Sequence, residues 1–277
     1  MDPHLQRPYE LKPIKIGCEV SGIDLKQNIS SDIIQLVKED VKSHRLLVFR
    51  NQGVVSPSRH LEIGRWFGEI ESTFYNHSRS PHRDIFRVSN DREQGCTGVG
   101  RTGWHIDGSF MSEPFTHSIY HIIECPKKGA TVFLPLTEFI QRLDQDTFDL
   151  WNRLYMVSDR RRINPHPLVY KHPETQKLVM CFHLGMTDLF IVDHGGSSSK
   201  QMTDEETETV LGAIHDEIVN KNADLIYKHE WKPGDFIISD NLAIGHEASP
   251  ETQYPISKVG LRVMHRVTIK GKYTPNK

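Results

Sequence analysis

A histidine and an aspartate one residue apart, His105 and Asp107 in Trp104-His105-Ile106-Asp107-Gly108, are the side chains of this chain best placed to do chemistry. In extended backbone, alternate side chains leave the same face, so the imidazole and the carboxylate converge on one point. One further imidazole from elsewhere would put two nitrogens and one oxygen on one face of a metal ion. Such a set leaves the remaining coordination positions open, as an oxygen-activating non-haem Fe(II) centre requires. By itself H-x-D is a short pattern, and a chain with 16 histidines meets it readily by chance.

Two arginines add a second constellation. Arg262 and Arg266 lie four apart in the apolar run Gly260 to Ile269, sharing a face with Met264 and Thr268. On a strand they stand roughly 13 Å apart. One reading is a solvated edge strand with basic side chains. The other is a pocket for carboxylates, which guanidinium groups bind bidentately and which offset the cost of burying them. His246, at the end of Asp240-Asn241-Leu242-Ala243-Ile244-Gly245-His246, would alone be an ordinary loop histidine. Its interest lies in the order: H-x-D first, a lone His far downstream, then an Arg soon after it.

The elements that must position these groups alternate along the chain. Ser31 is placed to cap a helix carrying Ile33, Ile34, Val37 and Val41 at helical spacing, and a short buried strand follows at Leu46–Phe49. Ser56-Pro57 reads as an N-cap with proline at the first helical position, opening a helix with Leu61, Trp66 and Phe67. Residues 72–103 read as a long loop crossed by one strand near Ile85–Val88. Beyond His105, β-like runs are interrupted by two helical insertions. One spans about Leu136 to Tyr155. The other opens at the capping box Thr203-Asp204-Glu205-Glu206 and buries Val210, Leu211, Ile214 and Ile218. His194 to Ser199 reads as a flexible loop, and Pro233-Gly234 as a turn into the strand Phe236–Ser239.

Composition bounds the class. The chain has 277 residues, room for a sizeable core, with no internal repeat and no clear linker. Lys+Arg of 34 against Asp+Glu of 36 gives a net charge of −2, which argues against a nucleic-acid surface. No run of about 18 apolar residues occurs, and the polar N-terminus is unlike a signal peptide, so a soluble, cytoplasmic protein is expected. The four cysteines, Cys18, Cys96, Cys125 and Cys181, form no C-x-x-C pair and are expected as reduced thiols.

The chain resembles the taurine dioxygenase (TauD/TfdA) family of Fe(II)- and 2-oxoglutarate-dependent oxygenases. The resemblance begins at Gly17-Cys18-Glu19-Val20-Ser21-Gly22-Ile23-Asp24-Leu25, Leu47-Val48-Phe49-Arg50-Asn51-Gln52 and Trp66-Phe67-Gly68-Glu69. It continues through Trp104 to Phe110, Gly129-Ala130-Thr131-Val132-Phe133 and His172-Pro173-Glu174-Thr175. It closes with Gly234-Asp235-Phe236, Asp240-Asn241, His246 and Arg262-Val263-Met264-His265-Arg266. It implies a mixed α/β fold: a double-stranded β-helix (jelly-roll) core with flanking and inserted helices. A single domain over 1–277 is expected, with lid segments at about 72–103 and 193–202. It further implies His105, Asp107 and His246 as iron ligands, with Fe(II), 2-oxoglutarate and O2 as the reacting set. Arg262 then stands for the arginine that grips the distal carboxylate of 2-oxoglutarate, with Thr131 helping at the same group. Arg266 matches the position that meets the substrate's sulfonate in taurine dioxygenase itself.

Departures point away from taurine. Leu242 stands where the family commonly has Arg, the 247–260 loop carries an insertion, and Thr73 falls near the place of the family's substrate-binding His. Tyr75, Asn76 and Arg101 are the alternative candidates for substrate contact, with His77 and Arg79 nearby. Gly98-Val99-Gly100-Arg101-Thr102-Gly103 matches a dinucleotide-binding pattern, but no helix opens from it, and a mobile lid that brings Arg101 to the pocket mouth is expected instead. The reading is an oxygenase acting on an unactivated C–H bond of a small acidic substrate: an amino acid derivative, sulfonate or phosphonate. Hydroxylation with release of succinate and CO2 is the simplest outcome; desaturation or ring closure of the kainoid-synthase kind is the alternative. A zinc hydrolase or a non-catalytic binding barrel are remoter readings. No nucleic-acid or membrane partner is expected, and a homo-oligomer stays open.

Overall fold

The computed structural model describes residues 7–72, 76–160 and 164–277. The described chain runs β1 (Glu10–Pro13), β2 (Cys18–Ser21), α1 (Ser31–His44), β3 (Leu46–Phe49), α2 (Pro57–Arg65) and β4 (Phe86–Ser89). It continues through β5 (His117–Glu124), β6 (Ala130–Pro135), α3 (Leu136–Gln141), α4 (Gln145–Arg153), β7 (Leu154–Ser158), β8 (His166–Pro167), β9 (Val169–Lys171) and β10 (Leu178–Met180). It closes with β11 (Thr187–Val192), β12 (Lys200–Gln201), α5 (Asp204–Asp216), β13 (Tyr227–Glu230), β14 (Phe236–Asp240), β15 (Ile244–Ala248), α6 (Ile256–Val259) and β16 (Val263–Ile269).

A seven-stranded sheet in the order β1-β2-β3-β14-β5-β16-β4 faces a smaller one, β13-β6-β15. Between them Phe133 and Ile244 of the small sheet meet Leu46, Val48, Tyr120, Ile122, Ile237 and Met264 of the large one. Each such side chain taken from water contributes about 1.5–3 kcal/mol. This is the expected jelly-roll core. Leu46-Leu47-Val48-Phe49 is apolar throughout because β3 is covered on both faces: Leu47 and Phe49 point outward, where α1 and α2 bring Val37, Val41, Leu61 and Ile63 against them. On the far side of the small sheet the inserted helices build a second core, with Trp151, Phe190 and Ile214 packed on Leu134, Ile106 and Phe182.

The small sheet extends past β15. His105 bridges His246 on one side and His183 on the other, both antiparallel. The backbone amides of His105 and His246 exchange hydrogen bonds of 3.1 and 2.8 Å, and Ile106 and Leu184 bond across to Phe182 and Trp104. The segment carrying H-x-D is therefore extended at His105 and turns at Asp107.

Several local expectations need amendment. Helix α1 is capped by Ser30, not Ser31, and the Ser30 hydroxyl makes no capping bond. Ser56 does accept from the Arg59 amide, with Pro57 opening α2. The Thr203–Glu206 capping box of α5 is complete; Val210, Ile214 and Ile218 are buried and Leu211 half-buried, the last turns widening into a π-helical stretch at Glu217–Lys221. The solvated-edge reading of the last strand is overturned: β16 lies between β5 and β4 with all seven residues buried. Segment 193–202 folds back as β12 on β11, with Asp193 held by Arg153 at 2.6 Å, and none of its residues lines the pocket described below.

These caps differ in a measurable way. Thr203→Ala is expected to lower unfolding stability by about 1 kcal/mol, since it strips a hydroxyl that accepts the Glu206 amide. Ser30→Ala should cost clearly less. Equal losses in urea unfolding would contradict the assignment.

Candidate active site

Beginning with its backbone, Asp107 is fixed on every side. Its amide donates to Asn241 Oδ1 at 2.8 Å, and Asn241 Nδ2 donates back to the Asp107 carbonyl at 2.8 Å and to that of Phe115 at 2.7 Å. Its carboxylate takes Ser118 Oγ on Oδ2 at 2.6 Å and Arg266 Nη1 on Oδ1 at 2.5 Å. The Tyr120 hydroxyl stands between Asp107 Oδ2 (3.3 Å) and His246 Nε2 (3.2 Å). Ser118 and Tyr120 come from β5, and Arg266 from the adjacent β16.

His105, Asp107 and His246 bring one ligand atom each to within 4.8 Å of one another, and all three are buried. The His105 Nδ1–H donates to the Gly103 carbonyl at 2.7 Å, which fixes the tautomer and leaves Nε2 as the lone-pair nitrogen facing Asp107. Burial disfavours the charged imidazole at both histidines. It outweighs Asp107 at His105, and takes His246 down to about 3 with help from His105. At Asp107, burial works the other way, but Arg266, the two imidazoles and Ser118 outweigh it and hold the carboxyl well below its ordinary range. Neutral imidazoles beside an ionised carboxylate are the protonation states that a divalent cation needs. The donor set, two nitrogens and one oxygen, fits Fe(II).

Across the inner face of the small sheet the side chains form a row: Tyr227, Phe133, His246, His105 and His183 occupy consecutive cross-strand positions. The His105 ring lies 4.3 Å from that of His246 and stacks on that of His183 at 4.5 Å and 19°. The pocket beside the cluster is lined by His105, Asp107, Arg266, His183, Thr102 and Gly98–Gly100, with Ile106, Phe110, Phe115 and Met186 as apolar walls.

Arg262 is buried to 1 % exposure, and no carboxylate among the described residues meets it. Its Nη2 reaches only Met264 Sδ at 3.5 Å, and its Nε has no partner among the described residues. Burial draws the guanidinium down to about 10, so it stays charged at neutral pH. A buried cation without a counter-charge is costly, and an anionic ligand would satisfy it. Thr131, on the same face of β6 as Phe133, accepts from Trp231 Nε1 at 3.1 Å, which leaves its own hydroxyl proton to give. The Trp231 carbonyl in turn accepts from Cys125 Sγ at 3.2 Å. These observations fit a dicarboxylate such as 2-oxoglutarate.

The substrate candidates fare differently. Arg266 lines the pocket, and its guanidinium also lies 4.9 Å over the Phe86 ring. Arg101 is not at the pocket mouth: its guanidinium is taken by Glu247 Oε1 (2.8 Å) and the Ala248 carbonyl (2.5 Å), so it straps the Gly98–Gly103 segment to β15. Asn76 is exposed and lines no part of this pocket, Arg79 bonds Gln94, and Tyr75 lies outside the described residues, as does Thr73. Leu242 packs into the second core. Ser118, Tyr120, Asn241 and His183 were not singled out by sequence reasoning. Of these only Asn241 lay in a recognisable motif.

A family model described as taurine catabolism dioxygenase TauD, TfdA family matches residues 8–268. An alpha-ketoglutarate-dependent sulfonate dioxygenase of Saccharomyces cerevisiae is 24 % identical over 90 % of this chain, which spans 64 % of that protein's length. An alkylsulfatase of Acinetobacter baylyi is 23 % identical over 94 % of this chain and 84 % of its own. The crystal structure of a taurine dioxygenase from Burkholderia xenovorans superposes with a TM-score of 0.76 at 22 % identity, covering 96 % of this chain and 92 % of that one. The fold is thus shared with that enzyme.

The buried imidazoles set a pH dependence for the metal-free protein. In the unfolded chain a histidine takes up its proton as pH falls below about 6.5, whereas native His246 resists until about 3. Its contribution to stability is therefore full above pH 6.5 and is lost progressively between 6.5 and 3. The slope is up to about 1.4 kcal/mol per pH unit for the one proton. Denaturant unfolding at pH 7, 6, 5 and 4 should show His246→Gln with a shallower decline than wild type; parallel declines would refute the assignment.

Proposed function

The chain belongs to the TauD/TfdA family, and from that premise we propose that it is an Fe(II)- and 2-oxoglutarate-dependent dioxygenase that oxidises an unactivated C–H bond of a small organic anion. The observation that carries this reading is the combination of a buried His-Asp-His cluster with a buried arginine, just before β16, that lacks a counter-charge among the described residues. A zinc hydrolase could use the first but has no need of the second.

When bound, Fe(II) with 2-oxoglutarate and O2 supplies the oxidising equivalents, the cosubstrate leaving as succinate and CO2. The protein's part is to hold and to exclude. His105 Nε2, His246 and Asp107 are the proposed metal ligands, with Ser118 and Tyr120 orienting the carboxylate. Arg262 is assigned the distal carboxylate of the cosubstrate, with the Thr131 hydroxyl donating to the same group. Arg266 neutralises Asp107 and presents further N–H donors to the pocket, which favours an anionic substrate. The apolar walls Ile106, Phe110, Phe115 and Met186 suit an organic body, and the Gly98–Thr102 segment keeps water from the reaction. The relatives' names, a sulfonate dioxygenase and an alkylsulfatase, describe substrates of this shape. Hydroxylation is the outcome proposed.

Anaerobic addition of Fe(II) and then 2-oxoglutarate is expected to produce a visible metal-to-ligand charge-transfer band. Its absence would sink the oxygenase reading. Arg262→Met should weaken 2-oxoglutarate binding by roughly tenfold to a hundredfold, the loss of a charge-assisted contact. The same substitution should leave Fe(II) binding intact and make the cosubstrate-free protein no less stable, because it removes a buried unpaired charge. A large stability loss with unchanged 2-oxoglutarate affinity would assign Arg262 a purely structural role.

A further inference from the structure

The neighbour of His105 on its other side is not explained by metal binding. His183 is buried, yet it lies outside the group of ligand atoms that converge within 4.8 Å. Its place is dictated by backbone. Gly185 sits so close to the Thr102 carbonyl that a Cβ there would come within 1.9 Å of it, and Gly103 lies correspondingly close to Leu184. Only glycines let the 183–185 turn press against the 102–103 segment, and that contact holds His183 opposite His105, with the rings stacked at 4.5 Å.

The hydrogen bonding then fixes the tautomer. The Gly185 amide donates to His183 Nδ1 at 3.2 Å, so Nδ1 bears the lone pair and the ring proton is on Nε2. No acceptor among the described residues meets Nε2, although His183 lines the pocket. The stacked pair is complementary in this respect. His105 spends its N–H on the Gly103 carbonyl and offers a lone pair, whereas His183 spends its lone pair on Gly185 and offers an N–H. On the pocket's other side Arg266 uses one N–H on Asp107, and its Nε is buried without a partner. A buried donor left unpaired, as Arg266 Nε is, is costly, and the His183 N–H has no acceptor among the described residues; both residues line one small pocket with apolar walls.

We propose that His183 is a specificity-determining residue: its Nε2–H and the Arg266 guanidinium together receive the oxyanion head of an organic anion whose apolar body lies against Phe110, Phe115 and Met186. The proposal rests on the oxygenase reading for the identity of the pocket. A sulfonate, sulfate or carboxylate offers at least two acceptor oxygens on one centre, enough to engage both donors. A neutral alcohol of the same length offers one.

The test is a binding titration that needs no turnover. Protein loaded with Mn(II) and 2-oxoglutarate is titrated calorimetrically with hexanesulfonate, hexanoate and hexan-1-ol. At least one of the two anions should bind saturably, and the alcohol should not. His183→Phe keeps a ring to stack on His105 but has no donor, and should weaken anion binding by roughly tenfold or more, the worth of a hydrogen bond to a charged group. His183→Gln, which keeps a donor, should stay within about threefold of wild type on the same reasoning. Mn(II) affinity should be unchanged in both; if His183→Phe does not fold, His183→Leu serves as the donor-free variant. Equal anion binding by wild type and the donor-free variant overturns the proposal, as does a wild type that binds neither anion. Failure of the oxygenase reading is separable, since it appears as the missing charge-transfer band while the anion titration is read independently.

Discussion

The whole site depends on one pair of backbone hydrogen bonds, those exchanged between His105 and His246. In an antiparallel sheet, residues directly opposite each other put their side chains on the same face a few ångströms apart. Joining these two residues, far apart in sequence, therefore delivers two imidazoles to one spot with no further device. Closing so long a loop is entropically expensive, but the cost grows only slowly with length, and it is shared with the whole jelly-roll core. The pairing also propagates outward. With His246 opposite Phe133 and His105 opposite His183, this imidazole pair is wedged in a row of rings that limits how far either ring can turn.

Placing charge in that setting has consequences that hydrophobic packing does not. Asp107 could not stay ionised in the interior without Arg266 and Ser118, and Arg266 could not stay buried without Asp107. That couple is internally balanced. Arg262 is not, since its nearest polar contact is a thioether. The chain thus carries, two residues either side of Met264 and at the start of β16, one guanidinium that is neutralised and one that, among the described residues, is not. The uneven arrangement fits the proposed role of Arg262 as the partner of the cosubstrate's carboxylate, a buried charge already in place where an anionic ligand would meet it.

How much of this was legible in the sequence follows from the range of each interaction. The nearness of His105 and Asp107 is local and was expected from strand alternation, although the chain turns at Asp107; the shared face of Arg262 and Arg266 is also local. The capping box at Thr203 is equally local. What escaped is set by register. Ser118 and Tyr120 join Arg266 at Asp107 because β5 lies beside β16, and His183 stacks on His105 because of a single cross-strand bridge; no spacing within either segment encodes those neighbours. Arg101 shows the same limit with the opposite sign. A basic residue in a glycine-rich lid suggests a ligand, but Glu247, brought alongside by β15, takes its charge first. The Ser30 cap was missed by one residue because both serines suit the position and only the backbone dihedrals separate them.

The strap made by Arg101 also ties cover to centre. Gly100 accepts from the Ala248 amide at 2.9 Å, Gly98 donates to Gln253 Oε1 at 2.7 Å, and Arg101 grips Glu247, the residue after His246. Gln253 belongs to the loop that follows β15. The segment that roofs the pocket is therefore anchored to the strand bearing one proposed metal ligand and to the loop that follows it. Any shift of β15 on ligand binding must be felt by Val99 and Thr102 at the pocket wall, because the hydrogen bonds that join them allow little slack. Loops of this kind are often passive connections. Here the loop supplies the far anchor of the roof through Gln253, and so lies where the shape of the pocket is decided.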